Sequence, residues 1–121
     1  MKSHKDLDVW KDGIQLVKAV YLATSGYPKE EMYGLASQMR RAAVSVVSNI
    51  AEGAARQGNK EFVQFLYIAL GSTSELDTQL EVSRQIGYGE GEALVKLQQD
   101  VAKIAKMLQG LIRAVKNSTN H

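Results

Sequence analysis

Apolar residues recur every three or four positions through most of the chain, and no stretch alternates strictly between apolar and polar, so the pattern is helical throughout. Four segments carry it, at about 7–24, 29–53, 60–86 and 91–116, with residues 117–121 expected as a disordered tail. In the first, Leu7, Trp10, Ile14, Val17 and Tyr21 form one seam. A second seam on the same helix joins Val9, Gly13, Leu16, Val20 and Ala23. Asp6 is a good N-cap for it, and Gly26 is placed to end it. The second helix starts either at Pro28 or afresh near Leu35, after Gly34, and it is apolar over most of its circumference. Gly53 either caps it or lies within a run to Arg56. Asn59 is the expected N-cap of the third helix, whose core seam is Phe62, Leu66, Ala69, Thr73, Leu76 and Leu80. The fourth has the cleanest repeat: Leu94, Leu97, Val101, Ile104, Leu108, Leu111 and Val115.

Short Gly-containing connections separate these segments, so sequence neighbours must run antiparallel. The predicted fold is all-α, an antiparallel up-down four-helix bundle roughly 30–40 Å long at about 1.5 Å per residue. The two seams per helix exceed what one bundle buries, which predicts self-association. The Val9-Gly13-Leu16-Val20 face is the expected subunit interface.

Polar residues add a stripe to the second helix: Gln38, Arg41, Ser45, Asn49 and Glu52 share one face. Short polar side chains in mid-helix cost about 0.5 kcal/mol each relative to Ala, so a plain solvent face is not the economical explanation. The third helix carries a second stripe, Ile68, Ser72, Glu75, Gln79, Val82 and Ile86. A turn centred on Gly58-Asn59 pairs residues whose numbers add to about 117, so Ser45 faces Ser72, Gln38 faces Gln79, and Arg41 faces Glu75 in an expected ion pair. The stripe is read first as structural, with a ligand or RNA role as the alternative.

Composition narrows the chemistry. The chain has 121 residues, no cysteine and a net charge of +2. One domain of this length buries an adequate core without metal or disulfide staples. No apolar run approaches the roughly 20 residues that span a bilayer, and the first residues lack the apolar core of a signal peptide, so a soluble cytoplasmic protein with no membrane role is expected. His4 and His121 stand at opposite ends, and no phosphate loop or Glu-x-x-His pair occurs. No enzymatic activity, cofactor or metal is therefore expected.

Charge is unevenly placed: residues 40–60 carry +3, residues 61–92 carry −5 and residues 93–121 carry +4. Such blocks serve either as charge complementarity between helices or as a basic face for nucleic acid. The candidate phosphate contacts are Arg40, Arg56, Lys60, Lys96, Lys103, Lys106 and Arg113.

Several stretches are specific in combination. They are Leu7-Asp8-Val9-Trp10, then Tyr27-Pro28 through Gly34-Leu35, then Gln38-Met39-Arg40-Arg41-Ala42-Ala43-Val44-Ser45. Ser48-Asn49-Ile50-Ala51-Glu52-Gly53 and Ala69-Leu70-Gly71-Ser72 follow. Over about residues 5–115 the chain resembles the four-helix bundle proteins of the 23S rRNA intervening-sequence family, which are in turn similar to the accessory proteins of diversity-generating retroelements. The resemblance implies a ring-like homopentamer and leaves the biochemical role open. Two functions compete: a non-enzymatic oligomer that binds RNA or a ribonucleoprotein, and a protein-interaction scaffold with no nucleic-acid role.

Overall fold

The computed structural model describes residues 3–118. Four helices fill it: α1 (Asp8–Thr24), α2 (Leu35–Ala54), α3 (Asn59–Ile86) and α4 (Gly91–Ser118), with short 3-10 turns at His4–Asp6 and Lys29–Glu31. Each helix packs closely on two others, in the cycle α1–α2–α3–α4, and the backbones of diagonally opposite helices stay apart. The interface of α2 with α3 is the broadest and that of α1 with α4 the narrowest. This is the antiparallel bundle that short connections require.

The seams on α3 and α4 lie where their spacing puts them. Phe62, Leu66, Ala69, Thr73, Leu76 and Leu80 are all buried, and on α4 only Leu111 leaves the core, with Ile112 taking its place. On α1 the expectation reverses. Val9, Gly13, Leu16 and Val20 point into the bundle and are buried, so that face is not available to a second subunit. The larger Trp10, Ile14, Val17 and Tyr21 lie at its half-exposed flank. Gly13 explains the choice: a Cβ there would stand 2.6 Å from Val47 Cγ1, so only a glycine face lets α1 come this close to α2.

Helix ends also correct the sequence reading. Asp6 does not cap α1. Its carboxylate accepts the Ser3 N–H while Ser3 Oγ accepts the Lys5 N–H, a capping box around the preceding 3-10 turn. His4 of that turn then packs edge-on against Trp10, with ring centroids 5.0 Å apart. The second helix begins at Leu35 and not at residue 29. Gly34 has φ −115 and ψ −115, outside helical values, and Glu31 reaches back so that its Oε1 accepts the Leu35 N–H at 3.1 Å. Asn59 is inside α3, where its Nδ2 donates to Ser118 Oγ at 3.0 Å and ties the start of α3 to the end of α4. Gly26 does not take a left-handed φ, whereas Gly87 does, at φ 81, closing α3. Asn117 and Ser118 complete α4; the rest of the expected tail lies outside the described residues.

Aromatic groups hold the end of the bundle where the α1–α2 and α3–α4 connections meet. Tyr27 is buried against Tyr88, ring centroids 5.5 Å apart, and Tyr88 Oη donates to Glu31 Oε2 at 2.9 Å. The Glu31 side chain thus serves both the start of α2 and the loop after α3.

Gly53 is buried inside α2 and sets the distance to α3. A Cβ on it would lie 2.7 Å from Phe65 Cβ and 3.2 Å from the Phe62 carbonyl oxygen, atoms with little freedom to retreat. Gly53→Ala is therefore expected to destabilise the bundle by about 1–3 kcal/mol, despite the better helix propensity of alanine, as read from the chemical-denaturation midpoint.

Candidate functional site: the polar stripe between α2 and α3

The stripe separates into a sheltered centre and exposed ends. At the centre Ser45 and Ser72 meet across the two helices, Oγ to Oγ at 2.8 Å, the pair that an index sum of 117 brings face to face. Asn49 Nδ2 donates to Ser45 Oγ at 3.0 Å and to the Ser45 carbonyl at 2.8 Å, and Ser72 Oγ donates to the Ile68 carbonyl at 3.2 Å. One assignment satisfies all of these bonds: Asn49 to Ser45, Ser45 to Ser72, Ser72 to the α3 backbone. Donor and acceptor alternate along such a chain, so each bond polarises the next. Small side chains are required because the helices are close; Ala42 and Ala69 are also buried on α2 and α3.

At the ends the expected pairing fails. Arg41 and Glu75 are both exposed and form no ion pair, and Gln38 is exposed without a bond to Gln79. Arg41 stands on the outward ridge of α2, where water solvates its charge more cheaply than a half-buried partner could. Glu75 Oε1 instead accepts from Gln79 Nε2 at 3.4 Å. Glu52 pairs within its own helix, with Arg56 at 2.8 Å, and the Arg56 guanidinium lies 4.9 Å from the Phe65 ring centroid.

Gln79, expected on the α3 stripe opposite Gln38, turns inward instead. It is only 8% exposed, and its Oε1 is buried with no hydrogen-bond partner among the described residues. Beside it on the same α3 stripe, Ile68, Val82 and Ile86 are 52%, 43% and 53% exposed. An unmade acceptor under a row of exposed aliphatic side chains is unlike an ordinary solvent face.

The basic residues are dispersed. Arg40 is half-buried: its Nε donates to Thr24 Oγ1 at 2.9 Å, Nη2 donates to the Tyr21 carbonyl at 3.4 Å, and the guanidinium lies 4.6 Å from the Tyr21 ring centroid. It caps the C-terminus of α1, where a cation is favoured. Lys96 pairs with Asp100 at 2.8 Å and Lys103 with Asp12 at 3.6 Å. Lys60, Lys106 and Arg113 are exposed on α3 and α4 and make no ion pair among the described residues. The seven do not converge on one site.

Among the described residues no helix is long and apolar enough to cross a membrane, and no group of three His, Asp or Glu side chains is placed to hold a metal. Three titratable groups are shifted, each by local packing. Burial pushes the Tyr27 hydroxyl up, and the Glu31 carboxylate that accepts its bond raises Tyr88. Bonds from Gln85 and Gln98, together with Arg84, hold the Glu81 carboxyl below its usual range and link α3 to α4.

Residues 5–110 match the family described as 23S rRNA-intervening sequence protein. No curated protein sequence matches the chain. Among solved structures, a protein with unknown function from the S23 ribosomal protein family of Bacteroides thetaiotaomicron superposes with a TM-score of 0.78 at 24% identity, over 87% of this chain and 95% of that one. This likeness speaks to the fold.

The stripe makes a quantitative statement about register. A double-mutant cycle on Ser45→Ala and Ser72→Ala is expected to give a coupling of about 0.5–1 kcal/mol in denaturation experiments. The matching cycle on Arg41→Ala and Glu75→Ala is expected to give none beyond about 0.3 kcal/mol.

Proposed function

The chain belongs to the 23S rRNA-intervening sequence protein family, and from that premise we propose that it is a non-enzymatic homo-oligomer, a pentameric ring, that binds RNA or a ribonucleoprotein through exposed basic residues. The observation that carries the assembly is the outer face of α2 and α3. There Ile68, Val82 and Ile86 stand in water above the unsatisfied Gln79 Oε1. A second copy seated on this face would remove the aliphatic groups from water. The subunit face thus lies on α2–α3, and the buried Val9-Gly13-Leu16-Val20 face has no part in it.

Assembly also strengthens the RNA reading. A charge of +2 per chain is weak by itself, but five symmetric copies carry about +10 and repeat each basic patch around one axis. The family's description refers to 23S rRNA, which supports RNA as the ligand class, and the exposed, unpaired cations supply the means.

Size-exclusion chromatography with light scattering tests the assembly. The wild-type chain is expected to elute as an oligomer of defined mass, and Ile68→Glu with Val82→Glu as a monomer of unchanged helicity. A monomeric wild type at high concentration would refute the assembly. Fluorescence anisotropy with a labelled RNA oligonucleotide tests binding: affinity is expected to fall roughly tenfold or more between about 50 and 200 mM salt. Binding indifferent to salt would contradict a phosphate-driven mode.

A further inference from the structure

Two acid-free runs lie side by side in the bundle. Residues 13–29 contain no Asp or Glu, and neither do residues 32–51; they carry Lys18, Lys29, Arg40 and Arg41. These runs make up most of α1 and α2, which pack as neighbours. Their register is fixed by two contacts, Gly13 against Val47 and the Arg40 guanidinium over the Tyr21 ring. That register sets Lys18 level with Ala42, beside Arg41, and Lys11 lies two turns of α1 below Lys18.

Lys11, Lys18 and Arg41 are exposed, and none makes an ion pair among the described residues. Of the four carboxylates that border the two runs, three are held elsewhere; Glu30 is exposed at the end of the first run, and Asp8 is exposed one turn from Lys11. Asp12 is turned toward Lys103 of α4, Glu52 is paired with Arg56, and Glu31 is occupied by Tyr88 and the Leu35 N–H. On α4, by contrast, Lys96 and Lys103 are each matched by a carboxylate. Lys106 and Arg113 of α4 and Lys60 of α3 are also exposed and unpaired among the described residues, but α3 and the loop after it, residues 61–92, carry −5 and border α4, whereas α1 and α2 bring unpaired cations together on two neighbouring acid-free runs.

We propose that the outer face of α1 and α2 is the phosphate-binding surface, with the RNA backbone as its ligand and Lys11, Lys18 and Arg41 as its principal contacts. This rests on the RNA reading above. Arg40 belongs to the same face as a positioning residue: its bonds to Thr24 and to the Tyr21 carbonyl hold α1 and α2 in register. An RNA fits this face better than a bilayer does. A helix that lies on a membrane turns a broad apolar face outward, whereas the main apolar faces of α1 and α2 are spent in the bundle core. Tyr21, 45% exposed between the cations, offers part of a ring for an unpaired base.

The test compares two full-length variants against a fluorescein-labelled single-stranded RNA and, separately, phosphatidylglycerol vesicles. In Lys11→Gln/Lys18→Gln/Arg41→Gln the slope of log affinity against log salt should fall by roughly 2, about 0.7 per lost phosphate contact. In Lys96→Gln/Lys103→Gln it should stay at the wild-type value. Circular dichroism and light scattering confirm that both variants keep their helicity and mass; if the triple variant does not, Lys18→Gln alone, with an expected loss of about 0.7, replaces it. An unchanged slope in the α1–α2 variant, with wild-type RNA binding intact, overturns this assignment and leaves the RNA reading standing. No salt-dependent RNA binding by the wild type overturns the RNA reading itself. Vesicle binding through the same three residues without RNA binding overturns the choice of ligand.

Discussion

Where Gly53 meets Phe62 and Phe65, α2 and α3 are closer than any side chain at position 53 would permit. Much of the rest of the bundle follows from that approach. Further along the two helices small buried or half-buried residues recur, Ala42 and Ser45 on α2 and Ala69 and Ser72 on α3, and the two serines meet. Serine in this half-buried setting brings a hydroxyl that needs a partner, and the two hydroxyls bond each other while Asn49 feeds the chain from one side. The hydrogen bonds add little net stability, about 1 kcal/mol each, but they are spent if the helices slip by one turn. Packing sets the distance and the polar chain sets the register.

This part of the structure was legible in the sequence because it depends on arithmetic. A short turn fixes an index sum, and an index sum fixes which stripe faces which. The Ser45–Ser72 contact needs only that the turn be placed correctly. The α1 faces were not legible for the opposite reason. Both seams repeat every three or four residues, and side-chain size favours the wrong one, since Trp10, Ile14 and Tyr21 look more like a core than Val9, Gly13 and Leu16 do. What decides is closeness to Val47, a property of two helices at once. The Arg41–Glu75 pair fails similarly. Index sums place residues at the same level but do not say how far each is rotated toward water.

Charge shows the same limit. Summing formal charges by segment points to residues 93–121, yet only part of that sum stays open: Lys96 and Lys103 are matched by Asp100 and Asp12, one partner a turn away and the other on a neighbouring helix, while Lys106 and Arg113 make no ion pair among the described residues. Exposed pairs of this kind contribute little to stability, but they do cancel the field that an incoming polyanion would sense. What a ligand meets is the charge left after such pairing. Arg40 illustrates the converse: its charge remains, but its geometry is committed to Thr24 and Tyr21, so it shapes the α1–α2 face more than it reaches out from it.

Gln79 decides how the two proposed roles divide the surface. An acceptor buried without a bond costs about 1–3 kcal/mol, and the residues around it on α3 are aliphatic and exposed. An RNA on this face would leave Ile68, Val82 and Ile86 against a charged backbone, with Glu75 adding repulsion. A protein surface takes the aliphatic groups out of water without that repulsion. The cation-bearing face of α1–α2 has a different character, with its cations unpaired and Leu22 and Val44 exposed singly among them. Self-association on α2–α3 and phosphate binding on α1–α2 are thus compatible on one bundle, because α2 contributes a different side to each: Ser45 and Asn49 toward α3, Arg40 toward α1. Arg41, on the ridge between them, is the residue through which one role would feel the other.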